Sequence, residues 1–238
     1  MHAWNFVDTV SQGEAFSTRS RNETNMFMHG MGYAMQDHVG SQNHDLDSIG
    51  PGGAKAYSIL SRIHPASRRL HRIVLEYLNG FQGNSILDVG CGTGNLIGMI
   101  ARLHPKMLLF GIDPNENMIA VALAKQKRFR EAGRINFAVG NSSNVPFDGH
   151  FDLIISTISF HHWKDKQGGL VYLSGRLSSN GTLAIFEDFA DHGRVKTKGR
   201  FSHAMSRETA DALSIPGFEK EVHVKGNIIS IQFRRKDQ

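Results

Sequence analysis

From Ser85 to Asp188, short apolar runs alternate with amphipathic stretches, and the alternation predicts strands separated by helices. SILDVG is a first strand, NLIGMIARLH a helix, MLLFGID a second strand, and NENMIAVALAKQKRFREAG a helix that stops at Gly133. INFAVG and FDLIISTIS follow as the third and fourth strands, a helix covers about 165–177, and TLAIFED is the fifth strand. Runs apolar at consecutive positions, joined by crossovers long enough for a helix, predict parallel strands buried on both faces. Ahead of them, PASRRLHRIVLEYLN sets Leu70, Ile73, Val74, Tyr77 and Leu78 on one helical face, with Pro65 suited to the first turn and Gly80 ending it.

The rhythm changes at both ends. After a short helix in SRETADAL and the turn Pro216-Gly217, FEKEVHVK and NIISIQFR are separated by little more than Gly226. A connection that short allows only antiparallel pairing, so one strand of the sheet runs backwards. Residues 1–53, rich in Gly, Asn, Ser, Met and His, show no sustained period and read as an N-terminal extension or lid, leaving 54–238 as one α/β domain. Met26, Met28, Met31 and Met35, with Phe27 and Tyr33, could line an apolar acceptor pocket or serve as ordinary packing.

Composition narrows the class. The 238 residues suffice for one large-cored domain plus an appended segment, and 40% hydrophobic with 21% charged residues fits a globular protein. No apolar run approaches a membrane span, and the first twenty residues lack the build of a secretory signal, so a cytoplasmic location is expected. The single cysteine, Cys91, forms no internal disulfide and excludes a thiolate-cluster zinc site. His38, His44, Asp45 and Asp47 lie in a polar stretch with irregular spacing and read as solvated linker, so no metal is expected. The net charge of +5 raises an anionic partner. Its densest basic groups (Arg68, Arg69 and Arg72; Lys125 to Arg130; Arg194 to Arg200; Arg234 to Lys236) each read as a solvated helix face or tail.

The first strand runs into L-D-V-G-C-G-T-G, Leu87 to Gly94. Its glycines allow a tight turn and a close approach of backbone to ligand, and the following helix points N–H groups at the same place. Asp113 closes the second strand, where an acidic side chain can accept hydrogen bonds from both ribose hydroxyls of an adenosine cofactor. The dinucleotide fingerprint G-x-G-x-x-G fails, because its third glycine position is Asn95. Asp88, moreover, would repel a pyrophosphate and favour a cationic sulfonium and ammonium group.

LDVGCGTG, GIDPNENM, VGNSSNVPF and FDLIISTISFHHW resemble the successive cofactor motifs of class I S-adenosylmethionine-dependent methyltransferases, most closely the small-molecule branch that includes ubiquinone and menaquinone biosynthesis enzymes. The resemblance spans roughly Tyr57 to Asp188. It implies a Rossmann-like, doubly wound, seven-stranded sheet, mostly parallel with one antiparallel C-terminal strand, and S-adenosyl-L-methionine as cofactor. It also implies that Asp88, Gly90, Cys91, Gly92 and Gly94 hold the methionine part, Asp113 the ribose, and Pro114 and Met118 the adenine. Asn141 and Ser142 would face the adenine amino edge, Asn141 standing where the family commonly has an acid. Tyr57 and Ser156 complete the implied cofactor set.

Such a cofactor carries its own electrophile, so the protein need only align a nucleophile and exclude water. If the acceptor atom needs deprotonation, His161 and His162, after the fourth strand, are the candidate bases, with helix-entry packing beside Trp163 as their other reading. A small-molecule methyl acceptor is expected; an RNA or protein methyltransferase and a non-catalytic cofactor-binding protein are the alternatives. STISFHHW departs from the N-P-P-Y type of segment that amino-directed nucleic-acid methylases resemble, and no RNA-binding module is visible.

Overall fold

The computed structural model describes residues 50, 52–54, 65–190 and 204–236. The expected extension over 1–53, including its methionines and histidines, and Tyr57 lie outside the described residues, apart from a few positions next to residue 50. Helix α1 (Pro65–Tyr77) is followed by β1 (Ser85–Val89), α2 (Asn95–Leu103), β2 (Leu108–Asp113), α3 (Glu116–Lys125), α4 (Lys127–Glu131) and β3 (Ile135–Val139). Then come β4 (Phe151–Thr157), a 3-10 turn (Phe160–His162), α5 (Lys166–Ser174), β5 (Leu177–Asp188), α6 (Arg207–Ala212), β6 (Phe218–Lys225) and β7 (Ile228–Arg235).

The strands form one seven-stranded sheet in the order β3-β2-β1-β4-β5-β7-β6. β1 to β5 are mutually parallel, and β7 runs antiparallel to both neighbours. The expected single reversed strand is therefore β7, and it lies inside the sheet rather than at its edge. β1 sits at the switch point, with β2 on one side and β4 on the other, which opens a crevice at the carboxyl ends of β1 and β4. Apolar side chains fill both faces: Leu87, Ile154, Leu183 and Ile231 belong to one cluster, and Ile86, Leu109, Ile155 and Phe186 to the other.

The long helix expected to end at Gly133 is broken at Gln126, which closes α3 and opens α4. Gln126 is buried, with its amide nitrogen donating to the Gly94 carbonyl at 3.1 Å, so tertiary contact interrupts a continuous helical pattern. β5 starts at Leu177 instead of Thr182, because Leu177 already pairs with Phe151 of β4, ahead of a register shift that takes up residues 178–181.

Candidate functional site

β1 ends at Val89, and the backbone turns at once: Gly90 and Cys91 both donate their N–H groups to the Ile112 carbonyl of β2, at 2.8 and 2.9 Å. Gly90, Gly92 and Gly94 have φ of 80°, 52° and 67°, a region that L side chains occupy at a cost of about 1–2 kcal/mol. At Gly90 space is limiting as well as conformation, since a Cβ there would stand 1.8 Å from the Ser159 hydroxyl oxygen. The turn thus lies directly against the segment that leaves β4, and only glycine permits it.

Two recesses open over this turn, of 140 and 310 Å³, and they share Gly90, Asp113, Ser159 and His162 as walls. Asp88 lines the first recess, 1% exposed, and its Oδ1 has no hydrogen-bond partner. Burial, with the Asp113 carboxylate nearby, pushes its carboxyl up to about 7. Burial and the same two carboxylates push the Cys91 thiol well up, so it stays neutral. An acidic floor with an unsatisfied carboxylate oxygen is a receptor for a cation that brings its own hydrogen-bond donor.

Asp113, at the mouth, accepts from the Gly92 N–H at 2.9 Å and the Asn115 N–H at 3.0 Å, so it braces the glycine turn against β2. Asn115 caps α3 by accepting from the N–H groups of Asn117 and Met118, which fixes Met118 as a buried wall of the first recess. Pro114, Asn141 and Ser142 line the second recess. The Asn141 amide oxygen takes the N–H and the hydroxyl of Ser143, both at 2.9 Å, in its own turn. Ser156 is wholly buried on β4, its hydroxyl without a partner, and lines neither recess.

The fourth strand leaves the sheet through Ile158, whose φ of 48° is the one positive value at a non-glycine among the described residues. For a β-branched side chain this is a strained conformation, held here by the Ile158 N–H donating to the Phe186 carbonyl at 2.8 Å. It turns Ser159 over Gly90 and starts the 3-10 turn. Phe160 and Trp163 are buried on either side of that turn, their rings 4.9 Å apart, so the two histidines between them stay near the surface. His162 lines both recesses, and the His161 ring lies 3.9 Å from it. His161 Nδ1 meets Oε2 of Glu187 at 2.9 Å, and its N–H donates to Oε1 at 3.3 Å. Glu187, on β5, is 1% exposed.

The structure therefore gathers Asp88, the glycine turn, Asp113, Met118, Pro114, Asn141, Ser142 and His162 around one crevice. It sets His161 behind His162 and Ser156 beneath. Glu187, Ser159 and Ile158 were not singled out by sequence reasoning. For Glu187 a signal existed, an acidic side chain at the end of an otherwise apolar strand; for the other two there was none.

Residues 86–181 match the family model described as a methyltransferase domain. An O-methyltransferase of Aspergillus nomiae is 34% identical over 132 residues, which are 55% of this chain and 58% of that protein. A ubiquinone/menaquinone biosynthesis C-methyltransferase of Citrifermentans bemidjiense is 28% identical over 171 residues, 66% of this chain and 73% of its own length. The chain spans about half the length of several of the curated relatives it matches. Among solved structures, a SAM-dependent methyltransferase from Aquifex aeolicus aligns with a TM-score of 0.62 at 18% identity, over 79% of this chain and 100% of that one.

Proposed function

We propose, from the premise that residues 86–181 form a methyltransferase domain on a class I fold, that this chain transfers a methyl group from S-adenosyl-L-methionine to a small-molecule acceptor in the cytoplasm. The observation that carries the reading is the buried carboxylate of Asp88 under the glycine turn, its Oδ1 unpartnered. It suits an ammonium or sulfonium ligand and repels the pyrophosphate of a dinucleotide. A cytoplasmic setting fits a chain whose lone cysteine makes no internal disulfide.

When bound, S-adenosylmethionine supplies a methyl carbon activated by its sulfonium sulfur. Asp88 and the turn Gly90–Gly94 hold its charged end, Asp113 takes the ribose hydroxyls, and Met118 and Pro114 flank the adenine. Asn141, its oxygen turned inward, leaves the adenine edge chiefly to Ser142. The adjacent histidines accept the acceptor's proton. His162 faces the cleft, while His161, with Nδ1–H donated to Glu187, keeps a carboxylate close to the imidazolium that forms. Members of both an O-methylating and a C-methylating class among the relatives support a small, acidic acceptor.

Isothermal titration tests the cofactor assignment. S-adenosylhomocysteine, the demethylated product, should bind and NAD should not; tight NAD binding with no response to S-adenosylhomocysteine would sink the reading. Asp113→Ala should weaken S-adenosylhomocysteine binding by roughly 1.5–3 kcal/mol per ribose hydrogen bond lost. Asp113→Asn, which keeps an acceptor for one backbone N–H, should lose less. An unchanged dissociation constant with native circular dichroism would remove the ribose role.

The Asp88 carboxyl gives a pH dependence of defined sign. Its proton is lost near pH 7 in the free protein, and a cationic ligand favours the ionised form. Affinity for the ammonium-bearing cofactor should therefore rise with pH up to about 7 and level off above it, by at most tenfold per pH unit. The unliganded fold behaves oppositely: the carboxyl holds its proton more tightly folded than unfolded, so this group's contribution to stability declines from about pH 4 to about 7. Titrations and thermal melts across pH 5.5–8.5 measure both, and a flat affinity profile contradicts the role given to Asp88.

A further inference from the structure

Next to the recess over Asp88, a third and larger recess of 430 Å³ opens between α1, α2 and the end of α3. Helical periodicity builds its walls. Arg68 and Arg72 stand one turn apart on α1, with Leu75 a turn further, while α2 contributes Met99 and Arg102 and α3 ends at Lys125. Four cationic side chains thus converge, and none of the described residues lining the recess is acidic. Arg68 and Arg72 are exposed on α1, while Arg102 donates to the Gly98 carbonyl at 2.8 Å and Lys125 to the Asn95 amide oxygen, bonds that hold these two cations at the wall.

Cations gathered in a concave site raise the local concentration of anions, and guanidinium forks match phosphate oxygens in pairs. The apolar contributions of Leu75 and Met99 give the recess a non-polar side. At its inner wall, Gln126 is 3% exposed and carries a carbonyl oxygen with no hydrogen-bond partner, an acceptor for a hydroxyl next to the anionic group. His71 and Asn95 line both this recess and the one over Asp88, so the two adjoin. Burial and Lys125 hold the His71 imidazole below its ordinary range, which makes it a reporter of negative charge arriving beside it.

We propose that the recess between α1, α2 and α3 is a binding site for the phosphate group of a small molecule, with Arg68, Arg72, Arg102 and Lys125 as its cations. The site stands independently of methyl transfer. Two sources share this chemistry: a phosphate carried by the methyl acceptor, and a phosphorylated effector that binds beside the loaded cofactor site.

The probe is inorganic pyrophosphate, titrated into the full chain at 150 mM salt with and without S-adenosylhomocysteine. Saturable binding is expected, with affinity reduced about tenfold or more in Arg68→Ser/Arg72→Ser and unchanged in Arg235→Ser/Lys236→Ser, a charge-matched double change at the exposed end of β7. The His71 ring resonances should titrate at higher pH once pyrophosphate is bound. Equal affinity in the wild type and the double variant, or an unmoved His71 titration, would overturn the proposal. So would salt-steep binding of bulk tRNA, lost in the double variant, in the absence of any pyrophosphate site. Methyl transfer from labelled cofactor into a metabolite extract then separates the two sources. Phosphatase treatment of the extract abolishes it if the acceptor carries the phosphate, and leaves it intact but pyrophosphate-sensitive if the ligand is an effector. Because pyrophosphate binding is read without turnover, its failure and the failure of the methyltransferase reading are distinguishable.

Discussion

Gly90→Ala should lower the melting temperature by roughly 5–15 °C and weaken S-adenosylhomocysteine binding by more than about tenfold. Two penalties combine. The φ of 80° costs a residue with a side chain about 1–2 kcal/mol, and the new methyl group would collide with the Ser159 hydroxyl, overpacking of a kind that typically costs 1–3 kcal/mol. Relief requires Ser159 to move, and Ser159 is a wall shared by both recesses, so binding suffers along with stability. Gly90→Ala/Ser159→Gly separates the terms: it removes the collision and leaves the backbone penalty. The double variant should recover about 0.5–3 kcal/mol relative to additivity. Additive effects in thermal melts would show that the two residues do not meet.

The second large effect is on turnover. His162→Ala should reduce kcat by about 10²–10⁴, the usual contribution of a positioned general base, while S-adenosylhomocysteine affinity stays within about twofold. Glu187→Gln should act through His161. An amide of the same shape keeps the side chain's place on β5, yet it removes the negative charge that stabilises an imidazolium and can donate where the carboxylate accepts. A fall of about 10–10³ in kcat is expected, with the acid limb of the pH–rate profile moved to lower pH, because losing the carboxylate lowers the affinity of the pair for a proton and the weaker base gives a lower plateau rate. Native circular dichroism must accompany both results. Full turnover by His162→Ala would return the histidines to packing beside Trp163, and a change confined to KM would make them acceptor-binding groups only.

Much of this arrangement is legible in the sequence because it depends on local rules. Apolar runs and helical crossovers predict the parallel strands, the short link at Gly226 requires the antiparallel hairpin, and L-D-V-G-C-G-T-G places three glycines where the turn needs φ above zero. What escaped depends on residues distant in the chain. Gln126 breaks a helix because its side chain reaches Gly94, which no pattern within 116–133 records. Glu187 gains its role from His161, 26 positions earlier, through the pairing of β4 with β5. The basic groups show the same limit: Arg68 with Arg72 and Lys125 read separately as solvated faces, and only the packing of α1 against α2 and α3 brings them to one recess. Strain at Ile158 leaves no trace in residue type at all, since isoleucine is among the last residues expected at a positive φ.

The position of β7 between β5 and β6 has a consequence for synthesis. The chain makes β5, then β6, and only afterwards the strand that joins them, Ile228–Arg235. Until Phe233 has left the ribosome, the edge of β5 from Thr182 to Asp188 has no partner on that side, and its neighbours Ile229, Ile231 and Phe233, fully buried in the finished sheet, are not yet available to cover it. The hairpin must then dock as a unit onto an edge that is long, apolar and open to any other strand in the meantime. A nascent chain stalled before Ile228 therefore carries a complete glycine turn and a nearly complete crevice on a sheet that is prone to aggregate, so β7 decides the yield of a site to which it contributes no side chain.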